Sequence, residues 1–131
     1  MDPLFDFSGK IILVTGGSRG LGYQMVRAFA ERGANVIIAS RKVEACEAVA
    51  EEVRAMGREA LAVGAHLGRW DECDRLIEAA YARFGRVDTL INNAGMGPRT
   101  PSHLVTEQLF DSVLNLNLKG PFRLASQIAH R

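Results

Sequence analysis

Thr15-Gly16-Gly17-Ser18-Arg19-Gly20-Leu21-Gly22 lies between two segments of different period. Before it, Lys10-Ile11-Ile12-Leu13-Val14-Thr15 is a short apolar run, the pattern of a parallel strand covered on both faces. After it, Leu21, Met25, Ala28 and Phe29 recur at helical spacing up to Gly33, which stands where a helix C-terminus would end. A glycine-rich turn from strand into helix is suited to holding phosphate. Gly16 permits a tight turn, Gly20 lets backbone approach a pyrophosphate, and Gly22 lets the helix pack close to the sheet. The helix N-terminus then offers unpaired N–H groups to the anion. The glycines alone would also fit a turn that binds nothing; the strand before them and the helix after them give the spacing its weight.

The same alternation continues outward. Asn35-Val36-Ile37-Ile38-Ala39 reads as a second buried strand, and Val43, Cys46, Ala50 and Val53 mark a second helix ended by Gly57. Ala60-Leu61-Ala62-Val63 is a third, weaker strand. Cys73, Leu76, Ile77, Ala80 and Phe84 mark a third helix ended by Gly85, with Asp71 and Glu72 in its first turn, where the helix dipole favours acids. Val87-Asp88-Thr89-Leu90-Ile91 is a fourth strand. Thr106 is placed to cap a last helix carrying Phe110, Val113, Leu114 and Leu124, of which Phe110, Val113 and Leu124 read as core. The order βαβαβαβα predicts an α/β fold, a Rossmann-like doubly wound parallel sheet of about four strands. Ligands on such sheets bind beyond the carboxyl ends of the strands, here after Thr15, Ala39, Val63 and Ile91.

Composition narrows the function further. The chain has 131 residues, and 16 Lys and Arg against 15 Asp and Glu leave a formal charge of +1. That balance gives no broad electrostatic basis for binding nucleic acid or a membrane surface. Hydrophobic residues at 47% and charged residues at 24% describe one globular domain over 1–131 rather than a disordered chain. Cys46 and Cys73 are too few for a disulfide framework or a metal cluster, which points to a reducing, cytoplasmic setting. His103 and His130 have no metal-ligand partner at workable spacing. Met1 to Phe7 is acidic and broken by Pro3, unlike a targeting signal, and no apolar run is long enough to span a bilayer.

Three motifs then fall in order. The glycine loop has the spacing Thr-Gly-x-x-x-Gly-x-Gly, Asn92-Asn93-Ala94-Gly95 follows the fourth strand, and Asn115-Leu116-Asn117-Leu118-Lys119-Gly120-Pro121-Phe122 lies on the last helix. Together they resemble the classical short-chain dehydrogenase/reductase family, and Leu4 to Lys10 resembles that family's lead-in to its first strand. The resemblance covers essentially the whole chain. It implies an oxidoreductase that moves a hydride between a nicotinamide and a small carbonyl or alcohol substrate. It also implies a cofactor held by Gly16, Ser18, Arg19, Gly20, Leu21 and Gly22, and by Asn93, Ala94 and Gly95. Asn117 corresponds to the family's helical active-site asparagine, which holds a water in a proton relay. The last helix packs across a subunit interface in related proteins, so a homo-oligomer is expected.

A cofactor with a free ribose 2′-hydroxyl is usually read by an acid after the second strand, and a 2′-phosphate by Arg. Ser40-Arg41-Lys42 stands there with no acid, and Arg19 is a second cation able to reach the same phosphate. In the resembled family this combination goes with NADP. Arg41 and Lys42 would otherwise simply begin a solvated helix. After the third strand, where the family often carries an acid, this chain has His66-Leu67-Gly68. His66 and Leu67 are candidate adenine contacts, and His66 could equally face solvent. Pro121, four residues after Asn117, has no N–H, so the Asn117 carbonyl loses its helical partner and a bend is expected.

The family's Tyr-x-x-x-Lys pair is absent: Tyr23 is followed four residues on by Arg27, and Tyr81 by Gly85. The expectation is therefore the cofactor-binding half of an NADP-dependent enzyme, inactive by itself. Two other readings stand beside it: a non-catalytic NADP-binding or interaction module, and, with less support, a methyltransferase on a similar sheet. Gly97, Pro98, Arg99 and His103 could form part of a substrate wall but identify no compound.

Overall fold

The computed structural model describes residues 2–131; Met1, at the head of the acidic N-terminal stretch, lies outside them. Four parallel strands, β1 (Ile11–Thr15), β2 (Asn35–Ser40), β3 (Ala60–Gly64) and β4 (Thr89–Ile91), form one sheet in the order β3-β2-β1-β4. Register is set by pairs such as Leu13 with Ile37 and Leu90, and Ile37 with Leu61. The chain steps outward from β1 to β3, then returns to lay β4 on the other side of β1. That reversal opens a crevice at the carboxyl ends of β1 and β4.

Between the strands run α1 (Gly20–Glu31), α2 (Val43–Ala55) and α3 (Trp70–Phe84), and after β4 come α4 (Glu107–Leu114) and α5 (Gly120–His130). The strands alternate their side chains between two cores. Ile12, Val14, Val36 and Ile38 meet Val26, Ala30, Cys46 and Val53 of α1 and α2. Leu13, Ile37 and Val63 meet Cys73, Leu76 and Leu124 of α3 and α5. Every residue of β1 is buried, as its unbroken apolar run requires. Gly33, Gly57 and Gly85 end the first three helices with positive φ.

Three expectations are corrected. The buried stripe of α1 is Gly22, Val26 and Ala30, not Leu21, Met25, Ala28 and Phe29. Gly22 seats on the glycine turn and thereby fixes the rotation of the helix, which leaves Leu21 exposed at its mouth. β4 is three residues long rather than five, and all three are only partly buried. Among the described residues it pairs with β1 alone. The last helix, expected to bend beside Pro121, is interrupted by a π-helical turn over Asn115–Lys119 that separates α4 from α5. Thr106 does cap α4, its Oγ1 accepting the Leu109 N–H at 3.1 Å. Leu124 is core, but Phe110 is 56% exposed and Val113 only partly buried, because α4 stands away from the sheet.

Candidate functional site

The crevice is held together by Thr15, the last residue of β1 and 1% exposed. Its hydroxyl donates to the Ile91 carbonyl at 3.3 Å and accepts the N–H groups of Asn93 and Ala94, each at 3.0 Å. The Asn93 amide donates to the carbonyls of Thr15 and Gly16 at 3.1 and 3.2 Å. A hydroxyl and an amide thus join the ends of β1 and β4 and fix Asn92-Asn93-Ala94-Gly95 against the glycine loop. The sequence places Thr15 at the end of a strand and at the head of the glycine motif, without assigning its hydroxyl a partner. A hydroxyl closing an otherwise aliphatic buried run was the available signal, since a buried polar atom must find partners.

The glycines divide their work differently from expectation. Gly16 turns with φ 65° against Asn93 and Ala94. A Cβ on Gly22 would lie 2.2 Å from the Gly16 carbonyl oxygen, so Gly22 packs helix against loop rather than helix against sheet. Gly17 takes the latter role: its Cβ would sit 3.1 Å from both Ile38 and Val26. Gly20, at φ 59°, has no atom within 4 Å of such a position and borders open space. Arg19 precedes α1 in an extended conformation and its side chain does not cap the helix. The first-turn N–H groups at Gly20, Leu21 and Gly22 are left for an anion, and the residues present fit a phosphate.

At the end of β2, Ser40 Oγ lies 3.4 Å from Ser18 Oγ and 3.0 Å from Cys46 Sγ, which ties the glycine loop to α2. Arg19, Arg41 and Lys42 are exposed around this point. None of the three forms an ion pair with any described residue, whereas Arg27, Arg54, Arg75 and Arg123 are all committed to carboxylates. Burial pushes the Cys46 thiol up from its ordinary pKa, and it pushes Cys73 up to about 11, so neither is a ready nucleophile.

Beyond β3, the Leu67 side chain is buried in the core at 4% exposure, so any contact it makes with a ligand is through its backbone. The half-buried His66 donates its N–H to Glu72 at 2.9 Å, and its Nδ1 accepts the Gly68 N–H at 3.1 Å. That backbone bond from His66, followed by Arg75 and Arg69 nearby, holds the Glu72 carboxyl below its usual range.

On the β4 side, Asn117 sits in the π-helical turn. Its Oδ1 accepts the Met96 N–H at 2.8 Å and its Nδ2 donates to the Met96 carbonyl at 2.7 Å. Asn92 donates to the Pro121 carbonyl at 3.3 Å. The irregular helix expected from Pro121 is thus the segment that grips the loop after β4. Gly120 lets it approach: a Cβ there would fall 1.7 Å from the Leu67 carbonyl oxygen, a closeness for which sequence spacing gave no signal. An apolar groove of about 280 Å³ lies alongside, bordered by Gly97, Pro98, Val105, Leu109, Phe110 and Val113. Of the proposed wall residues, Gly97 and Pro98 line it and Arg99 and His103 do not. Tyr23 is turned to Glu52 at 2.6 Å, between α1 and α2 and away from the crevice. No cluster of three metal-ligating side chains occurs among the described residues, and no helix there is long and apolar enough to cross a membrane.

These features define a Rossmann-like α/β protein with a glycine turn and a free helix N-terminus at its topological switch point. A sequence model of the short chain dehydrogenases matches residues 10–131, and the chain belongs to that family. It is 40% identical over 121 residues to a 3-oxoacyl-(acyl-carrier-protein) reductase of Staphylococcus epidermidis, covering 91% of this chain and 49% of that protein. A metagenomic short-chain oxidoreductase solved with NADP superposes with a TM-score of 0.90 at 35% identity, over 95% of this chain and 57% of that one. A 3-ketoacyl-(acyl-carrier-protein) reductase from Brucella melitensis, solved with NADH, gives 0.86 at 36% identity, over 93% and 50%. The chain spans about half the length of the relatives it matches.

Proposed function

We propose that the chain is the cofactor-binding part of an NADP-dependent oxidoreductase acting on a carbonyl or alcohol carbon. The observation that carries this is the set of three uncommitted cations, Arg19, Arg41 and Lys42, around the ends of β1 and β2, with no acid at the ribose position. Similar structures hold either NADP or NADH, so the fold accepts both and local charge decides. The first turn of α1 binds the pyrophosphate, with Gly16, Ser18, Gly20, Leu21 and Gly22 shaping the cradle. Ser40, Arg41, Lys42 and Arg19 surround the 2′-phosphate. Asn93, Ala94 and Gly95 border the nicotinamide end, and His66 and Leu67 the adenine end. The bound nicotinamide supplies the carbon that gives or takes hydride.

Asn117 acts through position. Its side chain holds the Met96 backbone, and its main-chain carbonyl, to which Pro121 has no N–H to offer, holds a water for proton transfer. The Tyr-x-x-x-Lys pair that would exchange the proton is not in these 131 residues, so this stretch alone binds cofactor without turnover. Phe110 and Leu114 of α4, Leu118 of the π-helical turn and Phe122 of α5 are exposed and supply a face for a second subunit. Two buried, unpaired cysteines agree with a reducing cytoplasm.

Titration of the full-length protein with NADPH and NADH at fixed ionic strength tests the assignment. A charged hydrogen bond contributes ~1.5–3 kcal/mol, or roughly 10- to 100-fold in affinity, in favour of NADPH. Arg41→Asp should narrow or reverse the ratio, and equal affinities in the unaltered protein would overturn the proposal.

A further inference from the structure

Cys46 lies in the first turn of α2, 0% exposed, within the core that α1 and α2 form against the sheet. Its one side-chain hydrogen-bond partner among the described residues is Ser40, whose Oγ stands 3.0 Å from Sγ. Burial raises the pKa of the thiol, against a smaller opposing pull from Ser40, so the sulfur keeps its proton. An apolar side chain would fill the same place. What the thiol adds is one proton and one contact at the end of β2.

Ser40 is half-buried, and its hydroxyl has three neighbours: Cys46 Sγ, Ser18 Oγ of the glycine loop at 3.4 Å, and the Lys42 carbonyl at 3.5 Å. The last two are at the limit of a hydrogen bond. Oγ thus sits between the glycine loop and the first turn of α2. Around that gap Arg19, Arg41 and Lys42 are exposed and form no ion pair with any described residue. A hydroxyl has one proton to give and two lone pairs. If Ser40 gives its proton to the sulfur, a weak acceptor, it offers the gap lone pairs alone and repels an anion there. If the thiol gives its proton to Ser40, the hydroxyl proton is left for the gap, against two long contacts as competitors. A phosphate oxygen is a charged acceptor and selects the second arrangement.

Resting on the reading of this gap as the 2′-phosphate site, we propose that Cys46 is a positioning residue for cofactor choice, its thiol donating to Ser40 Oγ and so keeping the Ser40 proton for the phosphate. The two cofactors make unequal use of it. A ribose hydroxyl can donate to Ser40 as well as accept from it, so NADH is served by either arrangement. The phosphate needs Ser40 as donor. Cys46 itself is fully buried and acts only through Ser40.

The test is titration of the full-length protein with NADPH and NADH, repeated for Cys46→Ala, Cys46→Ser, Ser40→Ala and the double variant Cys46→Ala with Ser40→Ala. One neutral hydrogen bond is worth roughly three- to tenfold in affinity. Cys46→Ala should lose that factor for NADPH and bind NADH within about twofold of the unaltered protein. Cys46→Ser, which keeps a donor in place, should recover most of the loss. With Ser40 already alanine, Cys46→Ala should cost nothing further for NADPH. A merely structural role would weaken both cofactors alike, or weaken NADPH just as much in the Ser40→Ala background. Either result, or a Cys46→Ser as weak as Cys46→Ala, would overturn the inference. If the unaltered protein binds NADPH and NADH equally, the phosphate reading falls and this inference with it; a preference for NADPH that Cys46→Ala leaves unmoved removes the role of Cys46 alone.

Discussion

Asn117 holds Met96 by both of its backbone groups, accepting its N–H at 2.8 Å and donating to its carbonyl at 2.7 Å across 21 residues of sequence. An asparagine amide here does what a neighbouring strand would do. It gives the loop after β4 a fixed partner at the place where the sheet has none. Asn117→Ala removes both bonds and leaves two peptide groups unpaired. In the full-length enzyme, turnover should fall by ~10²–10⁴-fold, the range for proton-transfer contributions, with a much smaller change in cofactor affinity. Steady-state kinetics alongside cofactor titration checks the split. Normal turnover would reduce Asn117 to a residue tolerated at a helix break.

Thr15→Val keeps the shape of the side chain and strands the Ala94 N–H, while the Asn93 N–H keeps the Ile91 carbonyl at 3.0 Å. Each unsatisfied buried donor costs about 1–3 kcal/mol, so the variant should unfold at distinctly lower denaturant, and Thr15→Ser should recover most of the loss. Urea unfolding of the three proteins distinguishes loss of the hydroxyl from loss of the methyl.

Gly120→Ala would drive a methyl into the Leu67 carbonyl oxygen and push α5 away from the loop between β3 and α3. Overpacking of this kind typically costs ~1–3 kcal/mol, and more where backbone must move. The contrast is Gly97→Ala, which meets no atom within 4 Å and should change stability by less than about 0.5 kcal/mol. Thermal melts of the pair measure the difference.

Asp88 anchors the start of β1 far from the crevice. Its carboxylate accepts the Ile11 N–H at 2.8 Å and pairs with Arg86 at 3.0 Å. The Ile11 N–H, then Arg86, holds its pKa below the ordinary value. A depressed carboxylate stabilises the fold above its unfolded pKa of about 3.9 and loses that contribution as pH falls through its lower folded value. Stability should therefore decline below about pH 4, and Asp88→Asn should make the decline shallower. Asp74, held low by Arg123, and Glu72 retain part of it. Chemical denaturation between pH 3 and 7 is the measurement, and identical slopes for the two proteins would rule out Asp88 as a contributor.

Local pattern carried the element order, the parallel sheet and the placing of the glycine loop, because each depends on the period of a short segment. A run such as Ile11 to Val14 has one stable use, and Gly33, Gly57 and Gly85 stop helices wherever they fold. Contacts between segments were another matter. The rotation of α1 was misread because Gly22, resting on the Gly16 carbonyl, turns Val26 and Ala30 inward, and no property of the helix alone reports what its first turn touches. Phe110 looked like core by spacing, yet spacing cannot tell an apolar stripe that meets the sheet from one that faces a groove. The charge at the end of β2 was legible as composition, while the freedom of Arg19, Arg41 and Lys42 from every carboxylate was not. Asn117 could be picked out beside Pro121, but its hold on Met96 and the junction made by Thr15 exist only once distant parts of the chain share one crevice. Hydrogen bonds and close approach act over about 3 Å in space and are indifferent to separation along the chain. Sequence therefore determined the elements and the kind of site they frame, and tertiary structure decided which atoms in that site are committed and which are left to meet a ligand.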